Sequence, residues 1–231
     1  MSTVAIILAG GSGARFQGPL PKQFLTLAGR PLLAICLERF QEHPGIDGML
    51  LVCPAAHLDL AEKTVQAGNF SKVKKVLAGG RTRQESSFNG VGAVAPEIEN
   101  ILIHDAARAL VSGEVISRVL EKLVGEKAVM ASLPAADTIV RIDEAAQVTA
   151  VLDRAKLELA QTPQGFRLEL MRQAHDLAAA EGFTDASDDC SLVLRYGLAP
   201  VVTVAGDPGN IKITYAQDLA IAKAILKNGN K

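Results

Sequence analysis

Short apolar runs alternate with longer stretches of helical period along most of the chain. Val4-Ala5-Ile6-Ile7-Leu8 is a continuous, β-branched-rich run, and Met49 to Cys53, Val73 to Leu77, Ile101 to His104 and Ala128 to Leu133 repeat the type. Between them, Leu32, Ile35, Leu37 and Phe40 recur at helical spacing behind Pro31, and further helices are expected over Ala55 to Gln66, Glu85 to Val94 and Val115 to Val124, the last with Ser112 as N-cap. Strands that are apolar throughout, with no polar alternation, belong to a sheet covered on both faces. The pattern therefore predicts an α/β fold with a mainly parallel sheet flanked by helices.

The rhythm breaks between about residues 134 and 160. Thr138 to Ile142 and Val148 to Leu152 alternate apolar and polar positions around the polar stretch Asp143 to Gln147, which predicts a β-hairpin with one exposed face. An isolated two-stranded ribbon is marginal in water, so the hairpin reads either as an edge ribbon or as an arm that packs on a second subunit. The remainder returns to helices over Leu168 to Ala180 and Asp188 to Leu194, a strand over Val201 to Val204, a short strand over Ile211 to Thr214 and a helix over Ala216 to Leu226. No repeat or linker interrupts the chain, and residues 1–231 are expected to form one domain.

Composition narrows the function. With 231 residues and 48% hydrophobic content the chain can fill a core, and its net charge of -1 argues against a broad basic surface for nucleic acid. With no Trp and only two Tyr, base-stacking platforms would be hard to build. Cys36, Cys53 and Cys190 lie far apart and suit buried thiols in a reducing cytosol. The first apolar run is too short for a membrane span and lacks a charged leader, so a cytoplasmic protein with no membrane partner is expected.

The chemistry gathers where strands end. Ala9-Gly10-Gly11-Ser12-Gly13-Ala14-Arg15 follows the first strand, and glycines there let backbone N–H groups approach anionic oxygens, with Arg15 and Lys22 as cations at hand. The ATPase loop would require Gly-Lys-Ser/Thr, and the dinucleotide fingerprint would require Gly or Ala where Phe16 stands, so neither applies. Gly79-Gly80-Arg81-Thr82-Arg83 again follows a strand and opens a helix, with Arg83 either in the site or a solvated charge. His104-Asp105-Ala106-Ala107-Arg108 puts an acid just beyond a buried strand; Asp105 could orient a hydroxyl, help hold a metal or join a loop ion pair, and His104 reads as structural. Asp153-Arg154 and Asn210-Ile211-Lys212 add an Arg fork and a Lys point charge suited to a phosphate. Ser187-Asp188-Asp189-Cys190-Ser191 reads as a helix N-terminus. No His/Cys/carboxylate cage is visible, so any metal is expected to be magnesium carried by phosphates.

Taken together these motifs, with Pro21-Lys22-Gln23-Phe24, Asp137-Thr138 and Thr162-Pro163-Gln164, resemble those of the 2-C-methyl-D-erythritol 4-phosphate cytidylyltransferases over residues 4 to about 226. The resemblance implies a Rossmann-like nucleotidyltransferase fold with a protruding β-hairpin arm that crosses to the other subunit of a homodimer. It implies magnesium-assisted attack of a sugar-alcohol phosphate on the α-phosphorus of CTP, with release of pyrophosphate. Carried to matching positions, Ala9, Gly10, Gly11 and Gly13 would hold the triphosphate, Arg15 and Lys22 would stabilise the five-coordinate transition state, and Gly80 and Ser86 would read cytosine. Asp105 and Ala106 would sit by ribose and substrate. Thr138 and Arg154, delivered from the second subunit's arm, and Lys212 would position the methylerythritol phosphate, with Arg154 and Lys212 counted among the catalytic cations. The chain departs from the family pattern in Leu8-Ala9-Gly10-Gly11, in Ala109 for a customary Pro and in Ser87 for a customary Val. The first departure resembles ribitol-5-phosphate cytidylyltransferases, which, with a catalytically silent nucleotide-binding subunit, form the alternatives. The order Asp153-Arg154 and the pair Ala106-Ala107 favour methylerythritol.

Overall fold

A computed structural model of the chain describes residues 2–10 and 21–229. In chain order the strands are β1 (Thr3–Leu8), β2 (Thr26–Leu27), β3 (Arg30–Pro31), β4 (Gly48–Cys53), β5 (Val73–Ala78), β6 (Asn100–Asp105), β7 (Ala128–Pro134), β8 (Val140–Ile142), β9 (Val148–Val151), β10 (Glu158–Arg167) and β11 (Val202–Ala205). The helices are α1 (Leu32–Glu42), α2 (Leu58–Ala67), α3 (Arg83–Gly92), α4 (Gly113–Leu123), α5 (Leu168–Glu181), α6 (Asp189–Arg195) and α7 (Ala216–Gly229). Seven strands form the main sheet in the order β11-β7-β10-β6-β1-β4-β5.

Because successive strand side chains point to opposite faces, the wholly apolar strands feed two cores at once. Ala5, Ile7, Met49, Leu51 and Leu102 pack against α1 and α4, while Ile6, Leu8, Leu50, Val52 and Ile103 pack against α3, α5 and α6. The expected α/β layering is therefore present. β1 pairs in parallel with β4 on one side and β6 on the other. The chain reaches β6 only after passing through β4 and β5, so the strand order reverses between β1 and β6. Ligands of open α/β sheets bind at the carboxyl ends of strands beside such a reversal.

Helix starts follow local chemistry. The Ser112 hydroxyl accepts from Val115 N at 3.4 Å, as expected for α4. Thr82 does the same for α3, accepting from Glu85 N at 3.0 Å, while the Glu85 carboxylate accepts from Arg81 N at 2.6 Å, so this helix begins at Arg83 and not at Glu85. The segment from Ala55 opens as a short 3-10 turn, Ala55–His57, before α2 begins.

Two expectations are corrected. The ten-residue strand β10, which lies antiparallel between β6 and β7, was not anticipated. It contains Pro163 and Gly165, residues that break strand patterns, and its polar side chains are buried with partners, Gln161 and Gln164 on neighbouring loops and the start of α6, Thr162 on β6. Its register against β7 shifts between Ala160 and Gln164, around that proline. Conversely, Ile211 to Thr214 is no strand: Ile213 N donates to Ala107 O at 2.9 Å, but no ladder continues from it.

β8 and β9 form a separate antiparallel ribbon, shorter than the predicted hairpin, that leaves the main sheet after β7 and returns through β10. The carboxyl group of Asp143 organises its turn by accepting from the N–H groups of Ala145 and Gln147. Val140 pairs with Val151 and Ile142 with Val148. All four apolar side chains are exposed. Among the described residues no helix is long and apolar enough to cross a membrane.

Candidate active site

At the carboxyl ends of β1 and β6 lies a cleft of about 330 Å³, lined by Ala9, Gly10, Lys22, Arg83, Ser86, Asp105, Ala106 and Lys212 among others. The backbone forms its floor. Ala9 N donates to Val52 O at 2.7 Å and Ala106 N to Leu8 O at 2.9 Å, continuing the strand ladders into the loops, and the buried Gln23 side chain donates to Ala9 O at 2.6 Å. Arg15, Gly11 and Gly13, expected to hold and stabilise the triphosphate, lie outside the described residues.

Lys22 begins a 3-10 turn, Lys22–Phe24, and its ammonium donates to Ile213 O at 3.1 Å. The segment after β11 is thereby drawn to the cleft, helped by Arg108, whose guanidinium donates to Asn210 O at 2.8 Å and Ala160 O at 3.0 Å. This tether carries Lys212 onto Asp105, Nζ to Oδ2 at 2.7 Å, although the two residues are 107 positions apart. Arg83 reaches the other oxygen, Nε to Oδ1 at 3.0 Å. Burial alone would raise the Asp105 carboxyl, but the Arg83 and Lys212 cations reverse that and hold it well below the usual carboxylate range. It is an anion between two cations.

Arg83 is thus no solvated charge. Its side chain is 24% exposed, and Nη1 donates to the buried Asp189 carboxylate at 2.7 Å. Burial would lower the guanidinium, yet Asp189 and Asp105 hold it above its ordinary value. His104 is structural, as expected: the ring packs on Phe40 at 4.9 Å between centroids, and its two nitrogens face Arg108 O at 3.2 Å and Thr162 Oγ1 at 3.0 Å. A carbonyl can only accept, so Nε2 carries the proton and the Thr162 hydroxyl donates to Nδ1. The same hydroxyl oxygen accepts from Asp105 N at 3.1 Å, which ties β6 to β10 beside the cleft.

Gly80 and Ser86 form a tight corner. The Ser86 hydroxyl accepts from Gly80 N at 3.1 Å and donates to Thr82 O at 3.0 Å. A Cβ at Gly79 would lie 2.7 Å from Ser86 Oγ and one at Gly10 would lie 3.2 Å from it, so the two glycine turns close around one hydroxyl. Thr138 and Arg154 are exposed at the base of the arm and do not line the cleft of their own chain. Arg154 there donates to Ala136 O at 3.0 Å. Sequence reasoning left Arg83 open between the site and a solvated charge, since no local spacing announces its partner Asp189, 106 positions away, and it gave Gln23 no role, since nothing in the motif shows that its side chain turns back to Ala9 O. Asp189 was legible only as part of a helix start, where the neighbouring Asp188 makes a capping box with Ser191.

Among the described residues no group of three or more His, Cys, Asp or Glu could hold a metal. The lining residues include no His or Cys, and burial pushes the Cys53 thiol up to about 11. What the cleft offers is fixed backbone, two lysines, two arginines and one carboxylate. That equipment suits the orientation and charge stabilisation of phosphates.

The family model described as 2-C-methyl-D-erythritol 4-phosphate cytidylyltransferase matches residues 3–228. A protein of that name from Thermobifida fusca is 43% identical, the match covering 97% of this chain and 93% of the relative. A ribitol-5-phosphate cytidylyltransferase from Vibrio parahaemolyticus is 38% identical over 96% of this chain and 95% of its own. The crystal structure of the 4-diphosphocytidyl-2C-methyl-D-erythritol synthase of Anaerococcus prevotii superposes with a TM-score of 0.86 at 28% identity, covering 98% of this chain and 96% of that one. With its fold and nearly its whole length in common with them, the chain belongs to the 2-C-methyl-D-erythritol 4-phosphate cytidylyltransferase family.

Proposed function

We propose that the protein transfers a cytidylyl group from CTP to 2-C-methyl-D-erythritol 4-phosphate. The observation that carries the reading is the meeting of Arg83 and Lys212 on one carboxylate, Asp105, in a cleft that Lys22 also lines, at the strand reversal of a cytidylyltransferase fold. In the reaction an oxygen of the acceptor phosphate bonds to the α-phosphorus of CTP, the α–β phosphoanhydride bond breaks, and its electron pair leaves with pyrophosphate. Lys22, with Arg15, stabilises the negative charge on the five-coordinate phosphorus, and the backbone from Ala9 to Gly13 holds the triphosphate. Gly80 and Ser86 bound the cytosine, and Asp105 and Ala106 face ribose and acceptor. Lys212 orients the acceptor phosphate.

The single cleft carboxylate, already between two cations, fits a magnesium ion held by phosphate oxygens and not by a protein cage. Bound there, the ion neutralises triphosphate charge. The exposed apolar face of the β8–β9 ribbon supports a homodimer in which the arm brings Thr138 and Arg154 to the second subunit's acceptor site. The absence of a membrane-length helix among the described residues suits a soluble enzyme of the cytoplasm.

The 38% identity to a ribitol-5-phosphate enzyme supports a second reading with the same chemistry and a different acceptor. Pyrophosphate release from CTP and magnesium, measured with each sugar-alcohol phosphate in turn, separates the two. Methylerythritol phosphate is expected to give the higher kcat/KM. Preference for ribitol 5-phosphate overturns the acceptor assignment, and tight CTP binding without turnover on either overturns the enzyme assignment.

A further inference from the structure

Behind the cleft, between α3 and α5, the Ser87 hydroxyl donates to Asp189 Oδ1, and the Nε2 atom of His175 lies 3.2 Å from the same hydroxyl. All three side chains are buried, at 0%, 2% and 1% exposure for Ser87, His175 and Asp189. None of them lines the cleft.

Hydrogen-bond chemistry fixes the two protons shared within this set. An ionised carboxylate only accepts, so the single Ser87 proton goes to Asp189, and the Ser87 oxygen must accept from His175 Nε2–H. Nε2 of His175 therefore carries a proton, and burial, which lowers the basicity of the ring, favours the neutral form. Arg83 then divides its donors: Nη1 goes to Asp189 Oδ2 and Nε to Asp105 Oδ1, while Lys212 takes Asp105 Oδ2. The chain of donors runs unbroken from the interior to the cleft.

The division matters because an Arg fork prefers to grip a single carboxylate with two parallel bonds. Were Asp189 free to turn away, Arg83 could close on Asp105 with two nitrogens and displace Lys212. Resting on the cytidylyltransferase reading above, we propose that Asp189, clamped by Ser87 and His175, divides the Arg83 guanidinium so that Asp105 keeps one oxygen for Lys212. On this assignment Ser87, His175, Asp189 and Arg83 are positioning residues for the acceptor half of the cleft, and none of them touches the reacting atoms.

Two readouts test it. In steady-state assays with saturating CTP, Ser87→Ala is expected to raise KM for the acceptor phosphate roughly tenfold, the worth of one buried hydrogen bond, with kcat changed less than about twofold. His175→Gln, which keeps an N–H donor, is expected to stay near the wild-type KM, whereas His175→Leu follows Ser87→Ala. The second readout requires no substrate: exchange of the Arg83 Nε–H with solvent, followed by NMR, is expected to be slow in the wild type and His175→Gln and roughly tenfold faster in Ser87→Ala and His175→Leu, for the same hydrogen bond lost. Should Ser87→Ala fail to fold, the two His175 variants decide by the same measurements. Unchanged KM and unchanged exchange in a folded Ser87→Ala or His175→Leu overturn the proposal. Equal losses in His175→Gln and His175→Leu also overturn it, because they reduce the effect to packing. If wild-type protein turns over no sugar-alcohol phosphate, the functional reading has failed, and exchange alone still judges the network.

Discussion

A carboxylate at the end of a buried strand is costly unless charges and donors surround it, and Asp105 has two cations and a protected backbone. Its neighbour His104 makes the opposite bargain with burial by staying neutral. Burial pushes the His104 imidazole down to about 4, against about 6.5 in an unfolded chain. Above pH 6.5 neither state holds the proton, so the shift has no effect there. As pH falls from about 6.5 to about 4, the unfolded chain takes up a proton that the folded one refuses, and stability should decline by about 3 kcal/mol. Urea midpoints across that range are expected to fall less steeply for His104→Asn than for the wild type; equal slopes would remove His104 from the account. Lys22 lines the cleft, and on the proposed function it serves the reaction and not the core. Lys22→Ala is expected to lower turnover by about 10² to 10³, in line with losing a donor at a developing oxyanion, while the melting temperature stays nearly constant. Full turnover in that variant would deny the role. Both residues were legible in the sequence, Lys22 from its place beside the glycine loop and His104 as a structural histidine. Their partners at Ile213 and Thr162 were not, because contacts so distant leave no periodic trace.

At the scale of elements, the strands of β-branched and aliphatic residues were readable because burial on both faces demands an unbroken apolar run. Strand β10 escaped for the same reason: the demand is relaxed where polar side chains find partners after folding. Gln164 donates to Asp188 at 2.8 Å and accepts from Cys190 N at 3.1 Å, and Gln161 donates to Asp207 O at 2.9 Å. Gly165, which as a sequence feature weakens a strand, is required by its neighbours. A Cβ there would lie 2.7 Å from Val119 of α4 and 3.1 Å from Leu102 of β6. Neither neighbour is a flexible surface chain. Gly165→Ala should therefore destabilise the protein by about 1–3 kcal/mol through overpacking, seen as a lower urea midpoint. An unchanged midpoint would mean that α4 can withdraw at little cost.

For the whole molecule the arm is the open question that the fold poses. Four apolar side chains on β8 and β9 stay exposed, and Arg154 at the base of the arm stands outside its own cleft. If the arm completes the site of a second subunit, each active site draws on two chains. Mixing Lys22→Ala with Arg154→Ala protein should then restore activity, because some mixed dimers hold one site with both residues intact. For random pairing, recovery approaching a quarter of the wild-type rate per subunit is the rough ceiling, since about half the dimers are mixed and each has one intact site of two. No recovery after confirmed subunit exchange would return the arm to the status of an edge ribbon.

By itself the sequence determined the layered α/β architecture, the loops that carry charge and the family, since these depend on local periodicity and on short motifs at strand ends. Only the tertiary structure decided how the charges are shared. Lys212 and Arg83 meet on Asp105 because the chain reverses its strand order between β1 and β6 and then returns past β11 to the same edge. Asp189 and Ser87, spaced 102 positions apart, join behind them because α3 and α6 pack on one face of the sheet. Which carboxylate a cation meets depends on distances set by the assembled sheet, and no interval along the chain encodes them.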